Sequence, residues 1–123
     1  MDASPTVRLS DLCGRPWIDY RDDTPLGRLV GEALGGERGP PPAVEVLSPM
    51  SACALVREGV GMAIVDPFCV DAAMRQCVDV RPLSPEKMLK VHAIYARVEP
   101  LSHSAREFLG MLRKVLRALP EAR

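Results

Sequence analysis

Three dipeptides hold most of what could do chemistry in this sequence: Thr24-Pro25, Ser48-Pro49 and Asp66-Pro67. Each sets an oxygen-bearing side chain before a proline, the pattern of a helix N-cap followed by its first helical residue. The oxygen accepts a hydrogen bond from a free backbone N–H, and proline has no N–H to leave unsatisfied. A helix start also presents further N–H groups and partial positive charge, so it can hold a carboxylate or a phosphate. Thr24 and Ser48 are neutral and leave that capacity open to a ligand, whereas Asp66 brings its own carboxylate and largely occupies its helix end. Asp22 and Asp23 beside Thr24 would repel a pure anion and suit a zwitterion, such as an amino acid or an opine-like compound. The same pairs also read as ordinary caps, and the two aspartates as solvated charges; both alternatives stand at this point.

Other reactive residue types form no constellation. No nucleophile elbow, glycine-rich phosphate loop, HExxH or paired-carboxylate motif occurs, so the reading is of a protein that is not an enzyme. The cysteines at 13, 53, 69 and 77 form no CxxC pair, and His92 and His103 lie at no ligand spacing from them, so neither a metal nor a cofactor is expected. Cys53 and Cys69 fall in apolar stretches and read as small buried hydrophobes. Trp17 reads as core, and Tyr20 as a residue that points toward the site edge.

The elements that must position these residues follow from periodicity and punctuation. Strands are expected at 16–20, 43–47, 61–65, 78–83 and 91–97. Helices are expected at 25–34, from Ser48-Pro49 to Gly59, from Asp66-Pro67 through Met74, and at 102–119, with residues 1–6 as a lead-in and 8–14 as one helical turn. The nearly all-apolar run 61–65 suits a strand covered on both faces, and Pro82 gives 78–83 edge character. Strands alternating with helices through short connections make an α/β fold with a mostly parallel sheet flanked by helices. In such a sheet all strand C-termini share one edge, where ligands bind, so the three capped helix starts gather there.

Composition limits the function classes. A chain of 123 residues is one domain's length, and 47% hydrophobic residues supply a packed core. Sixteen Lys and Arg cancel sixteen Asp and Glu, which argues against a free-standing nucleic-acid binder. No apolar run is long enough to span a membrane and the first residues lack a signal-peptide layout, so the expected location is cytoplasmic with no membrane partner. The last helix has an apolar stripe, Ala105, Phe108, Leu109, Leu112, Val115, Leu116 and Leu119. Opposite it stand Arg106, Arg113, Lys114 and Arg117, which read as a solvated face.

Four segments together carry a family likeness. Leu9-Ser10-Asp11-Leu12-Cys13-Gly14-Arg15-Pro16-Trp17-Ile18 resembles the entry to the second lobe of LysR-type transcriptional regulators. Ala54-Leu55-Val56-Arg57-Glu58-Gly59-Val60-Gly61-Met62-Ala63-Ile64-Val65 resembles that family's helix-to-strand signature. Arg81-Pro82-Leu83, and Pro100-Leu101-Ser102 with Ala105-Arg106-Glu107-Phe108-Leu109, resemble its closing segment. The likeness covers residues 7–117. Thr24-Pro25-Leu26-Gly27-Arg28 with Ser51-Ala52-Cys53-Ala54 looks most like the branch that senses amino acids and opines.

The resemblance implies one lobe of a periplasmic-binding-protein-like (type 2) effector domain at 7–98, and a closing C-terminal helix at 99–119 that in the family packs on a first lobe. The winged helix-turn-helix and nearly all of the first lobe are not in this sequence, so the expectation is a truncated, effector-sensing fragment that does not itself bind DNA. The resemblance further implies a small-molecule effector with a carboxylate. It also implies a homo-oligomer in the full-length family, through Leu26 to Leu34 and Val44 to Val46. The expected cleft residues are Tyr20, Asp23, Thr24, Ser48, Met50 and Ser51, with Thr24 and Ser48 meeting a carboxylate and Asp23 an amine. The rival reading is a lobe of a solute-binding transport protein, which shares the fold.

Overall fold

In the computed structural model, which describes residues 6–35 and 41–119, the order begins with β1 (Val7–Arg8), a 3-10 turn (Leu9–Leu12), β2 (Trp17–Tyr20) and α1 (Pro25–Ala33). It continues with β3 (Val44–Val46), α2 (Pro49–Arg57), β4 (Met62–Ala63), a second 3-10 turn (Pro67–Cys69), α3 (Ala72–Cys77), β5 (Leu83–Ser84) and α4 (His103–Ala118). The chain divides into two compact units, Met1–Leu89 and Lys90–Arg123.

The first unit is built on β2. Its aromatic and branched residues pair in parallel on both sides, in the order β3-β2-β4, with Ile18 opposite Val44 on one side and Ala63 on the other. Trp17, Ile18 and Tyr20 are its three largest fully buried side chains. Leu12 from the first 3-10 turn, Leu26 and Val30 from α1, and Ala52 from α2 close the core around them. The α1 side chains sit inside because 26 and 30 share one face at helical spacing. At the end of α2, Gly59 takes a left-handed φ of 78°. It donates to the Val56 carbonyl, and Val60 donates to that of Leu55. This double closure stops the helix and turns the chain into β4, and it requires a residue without a Cβ penalty at positive φ.

Five expectations are corrected. The helix expected from Asp66-Pro67 is two pieces, because Val70 between them leaves the helical region (φ −112°, ψ 88°) and buries its side chain. α3 then takes its own cap from Asp71, whose carboxylate accepts from Met74 N at 2.7 Å. The third strand shortens to Met62–Ala63, which ladders with β2 alone among the described strands, and its side chains are half-buried rather than covered on both faces. The fourth shortens to β5, whose partner is β1 in a separate parallel ladder; Val7 N donates to the Pro82 carbonyl at 2.9 Å. Arg8, read as the start of a helical turn, therefore lies in a strand with Val7. Residues 91–97 form no strand, and Ile94 is 93% exposed. Branched residues favour extended backbone, but a strand also needs a neighbour's carbonyls and N–H groups.

The second unit contains α4. Ser102 Oγ accepts from Ala105 N at 3.2 Å and caps it. The helical spacing puts the Phe108 to Leu116 stripe on one face and Arg106, Arg113 and Arg117 on the other. Among the described residues, no helix is long and apolar enough to cross a membrane.

Candidate functional site

The parallel register puts the capped helix starts on one edge of the sheet. Tyr20, the last residue of β2, pairs with Val46, the last of β3, and the next residue extends the ladder as Arg21 N donates to the Val46 carbonyl at 3.1 Å. Thr24 follows Tyr20 by four residues and Ser48 follows Val46 by two. Both nine-residue helices, α1 and α2, therefore leave from the C-terminal edge of adjacent strands. β4 runs the same way on the far side of β2, so Asp66 emerges at this edge too.

Each cap is made. Thr24 Oγ1 accepts from Gly27 N at 3.0 Å and donates to the Arg21 carbonyl at 2.8 Å. Ser48 Oγ accepts from Ser51 N at 3.2 Å and lies 3.1 Å from Ser51 Oγ. Asp66 accepts from Phe68 N at 3.0 Å and from the Cys69 thiol at 3.3 Å, so its carboxylate is committed within the fold. The neutral caps satisfy one donor each and leave other first-turn N–H groups to a ligand or water.

The turn before α1 is tightly built. The Arg21 carbonyl accepts from both the backbone N (2.9 Å) and the hydroxyl of Thr24. Gly27 faces this carbonyl; a Cβ there would lie against the Arg21 oxygen and 2.8 Å from Thr24 Oγ1. Only glycine lets helix and turn approach so closely. The Arg21 guanidinium binds Asp23 through two hydrogen bonds, Nη2 to Oδ2 at 2.7 Å and Nε to Oδ1 at 3.1 Å, with both side chains more than half exposed.

Of the six residues expected to line a cleft, Asp23 and Thr24 share this turn, and Ser48, Met50 and Ser51 share the first turn of α2. Met50 is exposed, as are Leu47 and Phe68, the latter beside the Asp66 cap. Tyr20 differs: it is buried, and its hydroxyl donates to the Ile64 carbonyl at 2.7 Å. Burial, followed by the nearby thiols of Cys53 and Cys69, pushes the phenol's pKa above its usual range. Its hydroxyl thus ties β2 to the segment after β4. The Cys53 thiol donates to the Cys69 carbonyl at 3.7 Å. Burial raises both thiols, Cys69 to about 11 with Asp66 assisting. Among the described residues no three His, Cys, Asp or Glu come together to hold a metal ion.

Sequence reasoning missed Arg21. Its signal was a guanidinium residue at the first position after a strand, two residues before an aspartate. It also missed Asp71 as a cap, although an acid before Ala72-Ala73-Met74 is a helix start.

The LysR substrate binding domain model matches residues 2–117. A curated relative, the HTH-type transcriptional regulator DgcR of a Pseudoalteromonas species, is 29% identical over 107 residues, which is 86% of this chain and 37% of the relative. The chain thus spans just over a third of the length of the curated relative it matches.

Proposed function

This chain belongs to the LysR substrate binding domain family, and from that membership we propose that it is the effector-sensing part of a transcriptional regulator. Its ligand is a small molecule with a carboxylate, of the amino-acid or opine type. The observation that carries this reading is the convergence of two neutral caps, Thr24 and Ser48, on one edge of adjacent parallel strands. Their helix starts supply N–H groups and positive potential for the carboxylate. Asp23 supplies the opposite charge for an amine, and Met50 and Ser51 flank the second cap. Tyr20 supports the floor of the site. The domain acts as a sensor rather than a catalyst.

DNA binding belongs to the longer regulator, in the cytoplasm, and not to this domain. The matched relative's name, a helix-turn-helix transcriptional regulator, supports this assignment over a lobe of a transport protein. Homo-oligomerisation runs through α1 and β3; among the described strands, β3 stands at the end of its three-stranded order and pairs with β2 alone.

The test is calorimetric titration of amino acids and opines into the complete regulator and into its Thr24→Val and Ser48→Ala variants. Binding that weakens in both variants supports the site. Unchanged affinity in both removes it.

A further inference from the structure

We draw no further inference here: the strongest candidate, the exposed apolar stripe of α4 (Phe108, Met111 and Val115) together with the exposed run Val91 to Val98 ahead of it in the second unit, carries none because nothing in the structure shows what covers it.

Discussion

Replacing Gly27 with alanine tests whether the turn beneath the first cap is as closely packed as described. Gly27 is the third residue of α1, and the added Cβ would lie against the Arg21 carbonyl. Overpacking against backbone costs about 1–3 kcal/mol. Displacing Arg21 or Thr24 also weakens the cap, worth about 1 kcal/mol. Alanine's better helix propensity offsets about 1 kcal/mol of that. The balance is a destabilisation of about 2 kcal/mol, a fall in Tm of roughly 6–10 °C for a domain of this size. Gly31 is the matched control: it lies on the same helix, and a Cβ there meets nothing within 4 Å. Gly31→Ala should raise Tm by a few degrees through propensity alone. Calorimetry or circular dichroism of the two variants reads the contrast. A Gly27→Ala protein as stable as Gly31→Ala would refute the packing of the turn, and with it the fixed placement of Arg21.

Two further outcomes follow from the buried polar groups. Tyr20→Phe removes the hydroxyl that serves the Ile64 carbonyl and should cost about 1–2 kcal/mol; urea midpoints that match the parent would show that this tie contributes nothing. Cys69 has its folded-state pKa raised to about 11 by burial, with Asp66 assisting. The stability it contributes is complete below the ordinary thiol value and is lost as pH rises through the folded value. Denaturation series should therefore show stability falling from pH about 9 to about 11, with a shallower fall in Cys69→Ala. Parallel curves for parent and variant would contradict the raised value.

The parts of this fold that were legible in the sequence are those whose signals are local. Thr24-Pro25 and Ser48-Pro49 announce α1 and α2, and the Leu26/Val30 spacing announces the face that α1 buries. Trp17 to Tyr20 stands out as a strand because its residues are aromatic and branched and turn residues bound it; its central place in the sheet comes from the pairing. Parallel alternation then brings the caps to one rim with no further information. What failed depends on pairing at a distance. Val91 to Arg97 has strand propensity but no place in a described ladder, and Val7-Arg8 is too short to announce a strand yet pairs with Leu83-Ser84. Asp66-Pro67 looks like the other caps, but the pull of buried Val70 ends its helix after one 3-10 turn. Within the site, Arg21 was hidden because a guanidinium two residues from a carboxylate is common on surfaces. It stands where the ladder ends, four residues before α1 begins.

As proposed above, the C-terminal edge of β2 and β3 is a receptor rim. The most direct test is amide chemical-shift mapping of the isotope-labelled chain during titration with α-amino acids, which detects weak binding residue by residue. Saturable shifts centred on residues 21–27 and 48–51 are expected. Saturable shifts confined to β1, β5 or α4, or no shifts with any amino acid, would contradict that reading.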